Sequence, residues 1–363
     1  MSAPVRVLVV DDSALMRKLI PQVLERDSSI EVVGTAMDGE FGLKKIEELR
    51  PHVITLDLEM PRKDGMETLR EITRKYRLPV IVVSAHSTQG ANSTFKALAL
   101  GAFDFVAKPK DGTGVRMDEI AKELITKIKT AAQTGVATAR PEHMLAATRA
   151  PKPRVRAKTR ADRAVAIGVS TGGPNALQYL LPQLPGDFPA GMVVVQHMPE
   201  GFTEMFARRL DECCGLEVKE AQSGDMIYAG RALICPGNRH MRIRRMPLGD
   251  MVVLSDEDKV NGHRPSVDVL FRSLATEFGP DGIAVLMTGM GDDGADAMGA
   301  VKSAGGMTIA QDGESCAVNG MPKAAIERGH AMRVVSLDAL ANTLQAQCAP
   351  ERARAHKVLL GSS

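Results

Sequence analysis

Apolar runs of strand length alternate with helix-period segments in two blocks of this chain, and a stretch that follows neither pattern separates the blocks. Such alternation dictates parallel strands joined by crossover helices, because a helix must carry the chain back to the edge where the next strand begins. In the first block strands are expected at 5–10, 31–35, 52–57, 79–85 and 102–107, with helical spacing over 14–26, 40–50, 65–76 and 89–100. Residues 116–133 read as one more amphipathic helix. From residue 164 the rhythm resumes, with strands expected at 164–169, 191–196, 283–288 and 306–310 and helices at 174–182, 201–212, 266–278 and 294–304. The stretch 217–260 holds short strands and turn signals such as Pro236-Gly237-Asn238, and reads as a β-hairpin region inserted in the α/β layer. The expected fold class is α/β, in two doubly wound parallel-sheet domains. Ser13 suits the N-cap of the first helix. Pro21 lies inside that helix and is expected to kink it or to start a second segment.

The break runs from Thr134 to Arg163. It contains Pro141, Pro151 and Pro153 and a basic run of Lys152, Arg154, Arg156, Lys158, Arg160 and Arg163. A solvated interdomain linker is the plainer reading, and an electrostatic contact for an acidic partner is the sharper one. The expected division is therefore a first domain over 1–133, a basic Pro-containing linker over 134–163, a second domain over 164–348 and a frayed tail over 349–363. A chain of 363 residues has room for about two domains of 100–200 residues, each with a core of its own.

Composition narrows the function by exclusion. A net charge of +2 gives no general pull toward nucleic acid or membrane, and 3% aromatics without Trp make no stacking platform for single strands. No apolar run approaches the roughly 18 residues of a membrane span. The N-terminus reaches Asp11-Asp12 too soon for a secretory signal. Five Cys without a C-x-x-C fit neither a disulfide framework nor a structural zinc site. A cytoplasmic protein with reduced, mostly buried thiols is expected, with no nucleic-acid partner and no membrane insertion.

Polar groups end the apolar strands of the first block. Asp11-Asp12 follow the first strand, Asp57 the third with Glu59-Met60-Pro61 just beyond, Ser84 the fourth and Lys108-Pro109 the fifth. Three carboxylates, a hydroxyl and an ammonium at one sheet edge suit a hard, oxygen-liganded cation such as Mg²⁺ beside a phosphoryl group, since close carboxylates repel unless neutralised. Val-Asp-Asp-Ser at 10–13, Asp57 in Asp-Leu-Glu-Met-Pro, Asp64-Gly65, Ser84 and Lys108-Pro109 closely resemble a two-component receiver domain, which has a flavodoxin-like fold. The resemblance implies that Asp57 accepts a phosphoryl group from a histidine kinase. It also implies that Asp11, Asp12, Asp57 and the backbone carbonyl of Glu59 bind Mg²⁺, that Ser84 and Lys108 contact the phosphate, and that Phe105 is the aromatic switch residue.

The second block delivers a Ser/His/Asp set in the same manner. Ser170 follows Ala-Val-Ala-Ile-Gly-Val, His197 follows Val-Val-Val-Gln, and Asp293 lies in Leu-Met-Thr-Gly-Met-Gly-Asp-Asp-Gly. Ligands of open parallel sheets bind at the carboxyl ends of strands, so three such residues converge whatever their separation in sequence. Gly168-Val169-Ser170-Thr171-Gly172 fits the G-x-S-x-G nucleophile elbow, although the α/β-hydrolase order places the acid before the His. A Gly-rich turn can instead cradle a dinucleotide, but the glycines at 168, 172 and 173 do not make Gly-x-Gly-x-x-Gly. On residues alone Asp292 and Asp293 are indistinguishable, one of them being expected to cap the next helix. His240 and His263 read as structural.

Ile-Gly-Val-Ser-Thr-Gly-Gly-Pro at 167–174, Gln-His-Met-Pro-Glu-Gly-Phe-Thr at 196–203, His-Arg-Pro-Ser-Val-Asp-Val-Leu-Phe at 263–271 and Leu-Met-Thr-Gly-Met-Gly-Asp-Asp-Gly at 286–294 resemble the Rossmann-like catalytic domain of the chemotaxis protein-glutamate methylesterase (CheB) family. The resemblance implies a triad of Ser170, His197 and Asp293. Thr171 and Met290 would line the site, the Met290 N–H serving as an oxyanion donor, and Asp292 stands where the family often has Asn. The implied activity is a phosphorylation-activated demethylation of glutamate γ-methyl esters on chemoreceptor helices, with deamidation of receptor glutamines. Mg²⁺ would belong to the receiver and no cofactor to the hydrolytic site. A response regulator with a non-enzymatic binding output is the alternative, and a nucleotide-dependent oxidoreductase the third reading.

Overall fold

The computed structural model describes residues 3–60, 64–85, 87–108, 117–134 and 159–349. The chain divides into two compact units, Met1–Ala139 and Arg140–Ser363. Most of the proposed linker, Pro109 and the tail beyond Ala349 fall outside the described residues.

The first unit is built from β1 (Val5–Val10), α1 (Ala14–Leu24), β2 (Ile30–Ala36), α2 (Gly39–Leu49), β3 (Val53–Leu56), α3 (Gly65–Glu71), β4 (Val80–Ser84), α4 (Thr88–Ala99), β5 (Asp104–Ala107) and α5 (Met117–Thr134). The strands pair in parallel in the order β2-β1-β3-β4-β5. The central strands β3 and β4, buried throughout, read as unbroken apolar runs rather than as alternations. Ser13 Oγ accepts the N–H of Met16 at the start of α1, the cap expected from sequence. Pro21 does not start a second segment: α1 runs through it as one helix, and Glu25 N–H closes onto the Pro21 carbonyl. The helix expected over 65–76 changes character at Ile72, where a π-helical turn, Ile72–Tyr76, follows α3.

The second unit contains β6 (Arg163–Val169), α6 (Gly173–Leu180), β7 (Ala190–Gln196), α7 (Phe202–Cys213), β8 (Glu217–Glu220), β9 (Arg231–Ile234), β10 (His240–Arg244), β11 (Met251–Ser255), α8 (Val267–Phe278), β12 (Gly282–Leu286), α9 (Ala295–Ser303), β13 (Met307–Gln311), α10 (Met321–Glu327), β14 (Arg333–Val335) and α11 (Leu337–Cys348). Seven strands form one parallel sheet in the order β14-β13-β12-β6-β7-β9-β8. The hairpin reading of 217–260 holds only for β10 and β11, which pair antiparallel with each other. β8 and β9 instead extend the main sheet in parallel. Single short apolar runs carry no signal for the partner they join, so the turn residues around them looked like hairpin connections. Arg160, read as part of the basic run, bridges to Tyr228 and pairs with the buried Asp250 at 3.2 Å, so it belongs to this unit.

Helix α8 packs Val267, Leu270, Phe271 and Leu274 onto the sheet at Ala164, Ala166, Ala284 and Leu286. Small strand residues let the helix approach closely, and each large side chain buried there stabilises the fold by about 1.5–3 kcal/mol. This contact also fixes where the N-terminus of α8 points. Strand β6 lies between β12 and β7, so the chain order reverses at β6 and opens a crevice at the carboxyl end of that strand.

Candidate active site

Ser170, His197 and Asp293 all lie at this crevice. Strands β6 and β7 run in register with Val169 opposite Gln196, so Ser170 and His197 are the next residues of neighbouring strands. His197 N–H donates to the Val169 carbonyl, and Ser170 N–H donates to the carbonyl of Thr288 beyond β12. Gln196 Nε2 clasps both turns by donating to the carbonyls of Ser170 (3.0 Å) and His197 (3.1 Å). A positive φ of 76° falls on Gly172, where an added Cβ would meet Ala317 Cβ at 2.4 Å. Ser170 is absent from the positive-φ residues, so the turn resembles a nucleophile elbow in sequence while its glycine, not its serine, takes the conformation that side chains resist. Gly289 is required for contact: a Cβ there would lie 2.8 Å from Ser170 Cβ.

His197 Nε2 lies 2.9 Å from Asp293 Oδ2. Asp293 is 1% exposed and receives four further donors: Val267 N–H on Oδ2 (2.7 Å), and Ser266 Oγ–H (2.8 Å), Asn261 Nδ2–H (3.1 Å) and Asp268 N–H (3.2 Å) on Oδ1. Burial by itself pushes the Asp293 pKa up. The His197 hydrogen bond and charge, with the Val267 and Ser266 donors, outweigh burial and hold the carboxyl well below its usual range. Asp293 thus takes the place of a capping side chain for α8, whose own N-cap Ser266 makes no capping bond, and it gains from the positive end of that helix.

Asp292 has a different environment. It is 57% exposed at its side chain and pairs with Arg328 at 2.5 Å. Neither side chain caps the following helix α9: its Ala295 N–H goes to the Asp292 carbonyl and its Ala297 N–H to Asp268 Oδ1. Thr171 is buried beside Ser170, with its carbonyl accepting the Thr288 hydroxyl at 2.9 Å, and Met290 is half-buried just past Gly289.

In the first unit, ligand atoms of Asp11, Asp12 and Asp57 lie within 4.8 Å of one another. Lys108 Nζ approaches Asp57 Oδ2 to 2.6 Å and Asp11 Oδ2 to 3.0 Å. Burial pushes the Asp11 pKa up, and Lys108 only partly opposes it. Burial also disfavours the Lys108 ammonium, but Asp57 and Asp11 more than compensate and its pKa is raised. Three carboxylates whose oxygens lie this close together, two of them buried, fit a hard divalent cation. Glu59 N–H donates to Asp57 Oδ1 at 3.1 Å, closing the turn after β3. Ser84 Oγ–H donates to the Gly90 carbonyl at 3.0 Å. Phe105 is buried, edge-to-face with Phe95, and Lys127 Nζ lies 5.3 Å from its ring centre.

Residues 165–344 match the family model of the CheB methylesterase, and residues 7–117 match that of the response regulator receiver domain. A protein-glutamate methylesterase/protein-glutamine glutaminase 2 from Koribacter versatilis (strain Ellin345) is 63% identical over 356 residues, spanning 97% of this chain and 98% of that protein. The chain belongs to the CheB methylesterase family. Another relative, a protein-glutamate methylesterase/protein-glutamine glutaminase from Symbiobacterium thermophilum (strain DSM 24528 / JCM 14929 / IAM 14863 / T), is 44% identical over 94% of this chain and 96% of its own length. The crystal structure of the Thermotoga maritima CheB methylesterase catalytic domain is 42% identical, covers 51% of this chain and 97% of its own, and superposes with a TM-score of 0.50. This CheB-family enzyme therefore joins a response-regulator receiver to a methylesterase domain. No helix among its described residues is long and apolar enough to cross a membrane.

Sequence reasoning missed the donors that fix Asp293. Asn261, Ser266 and the first N–H groups of α8 belong to a distant segment of the chain, and nothing local to Asp293 pointed to them. The ring of His263, read as structural, lies stacked against that of His197.

Proposed function

We propose that this chain is a phosphorylation-activated hydrolase that demethylates glutamate γ-methyl esters on chemoreceptor helices, releasing methanol, and deamidates receptor glutamines. The observation that carries the reading is the buried, five-donor Asp293 carboxylate on His197, one strand end away from Ser170. Relatives named as protein-glutamate methylesterase and protein-glutamine glutaminase support the substrate class and both activities.

Ser170 Oγ attacks the ester carbonyl while His197 takes the hydroxyl proton. Because Nε2 is engaged by Asp293, the nitrogen left for this role is Nδ1, which is buried without a hydrogen-bond partner. Asp293 stabilises the imidazolium, and the Met290 N–H serves as an oxyanion donor in a site that Thr171 also lines. Collapse of the tetrahedral adduct expels methoxide, protonated by His197 to methanol, or ammonia when the substrate is glutamine. Water, deprotonated by the same imidazole, then cleaves the acyl-enzyme to glutamate.

The receiver restrains this activity until Asp57 attacks the phosphorus of a phosphohistidine on the chemotaxis kinase. Bound Mg²⁺, held by Asp11, Asp12, Asp57 and the Glu59 carbonyl, would neutralise charge at that acidic site. Lys108 and Ser84 contact the new phosphoryl group, and the Phe105 ring moves with Ser84. The protein acts in the cytoplasm.

Incubation with radiomethylated receptor membranes, with and without a small-molecule phosphodonor, tests both halves by counting released methanol. The phosphodonor should raise the rate of the parent protein and leave Asp57→Ala at its basal rate. EDTA should abolish that stimulation while sparing basal release, since no metal takes part in hydrolysis. Loss of basal release in EDTA would place a metal in the ester chemistry and overturn the triad mechanism.

A further inference from the structure

The imidazole of His263 lies parallel to that of His197, with ring centroids 3.9 Å apart and planes 7° from parallel. A tight turn delivers it. Val260 and His263 bond each other in both directions, and the two residues between them, Asn261 (φ 53°) and Gly262 (φ 79°), both have positive φ. An Asn-Gly pair with that geometry is the preferred centre of a type I′ turn, which leaves its flanking residues little freedom. The same turn places Asn261 Nδ2 on Asp293 Oδ1 (3.1 Å) and on Asp268 Oδ2 (2.8 Å). One four-residue turn therefore touches both the imidazole and the carboxylate of the set.

The His197 ring is pinned at Nε2 alone, and Nδ1 has no hydrogen-bond partner. The torsion that swings an imidazole about its own axis has a broad minimum, so one hydrogen bond does not define the ring plane. We propose that His263 is a positioning residue, whose ring fixes the plane of His197 so that Nδ1 keeps a single direction toward the Ser170 hydroxyl. This rests on the reading of His197 as the base for Ser170. A poorly aimed base slows the chemical step while substrate binding is untouched, and a misplacement of about 1 Å costs roughly 10²-fold.

The test uses the full chain with phosphodonor and radiomethylated receptor membranes. His263→Ala should lower kcat by about 10–100-fold and leave KM nearly unchanged. His263→Phe, which keeps a flat ring without titratable nitrogens, should recover most of the lost kcat. Parental kcat in His263→Ala, or a Phe variant as slow as the Ala variant, overturns the proposal. A second measurement does not depend on turnover or on the stability of the Ala variant. In protein labelled at histidine, His263→Phe should shift the His197 ring-proton resonances upfield, because a benzene ring carries the larger ring current. Unchanged resonances mean that the rings are not stacked in solution, and the proposal falls. Failure of the underlying serine-hydrolase reading shows itself separately, as methanol release by Ser170→Ala.

Discussion

Ser170→Ala should fold as the parent does and release methanol roughly 10⁴–10⁶-fold more slowly, as expected for loss of a triad nucleophile. The backbone of Ser170, not its hydroxyl, holds the turn: its N–H bonds Thr288, and its carbonyl accepts the Gly173 N–H and Gln196 Nε2. Removing Oγ therefore takes away chemistry without taking away a structural bond among the described residues. His197→Ala should be comparably slow, and the double variant no slower than either single one, because nucleophile and base act as a unit. Methanol release at near-parental rates by purified Ser170→Ala, with substrate-bound label chased to completion, would eliminate the serine mechanism.

The second large effect separates two adjacent carboxylates. Asp293→Asn should cost about 10⁴-fold in kcat, the magnitude seen when a triad acid becomes an amide. All five partners of Asp293 can be donors, so an amide NH₂ must face either His197 and Val267 or Ser266, Asn261 and Asp268. A buried donor against donors costs a further 1–3 kcal/mol or so in stability. The depressed pKa of Asp293 has a matching pH signature. Its stabilisation of the fold is present above the ordinary carboxylate value of about 3.9 and is lost only as pH falls through the lower folded value. Asp292→Asn removes an exposed ion pair with Arg328, an interaction worth about 0–1 kcal/mol, and should change kcat little. Equal losses in the two variants, measured as kcat beside chemical denaturation, would mean that Asp292 shares the catalytic role.

The β-α rhythm of both units was legible because buried parallel strands must be apolar throughout, so each strand end stands out where Asp57, Ser84, Ser170 or His197 interrupts the run. The same logic fails where strands are short. Val218 and the run Ala232–Ile234 are apolar enough for β8 and β9, yet nothing local told that they would extend a parallel sheet rather than fold back as a hairpin. Elements α10, β14 and α11 escaped notice for a related reason: β14 has only three residues, two of them exposed, at the edge of the sheet. In the site, Ser170 and His197 could be picked from their position after strands, but Asp292 and Asp293 could not be told apart. Their neighbour in sequence is each other, while their distinguishing neighbours, Arg328 and the N-terminus of α8, are distant along the chain.

The amino-acid sequence by itself determined the two-unit α/β architecture and the strand ends at which Asp57, Ser170 and His197 stand. Those follow from periodicity and from polar residues at strand ends, which are properties of contiguous segments. Only the tertiary structure decided which carboxylate is buried, which ring nitrogen of His197 it engages, and that the Asn261–His263 turn closes over both. Burial and hydrogen-bond partnership are set by segments that meet across the crevice at β6, and no local pattern in either segment encodes its partner.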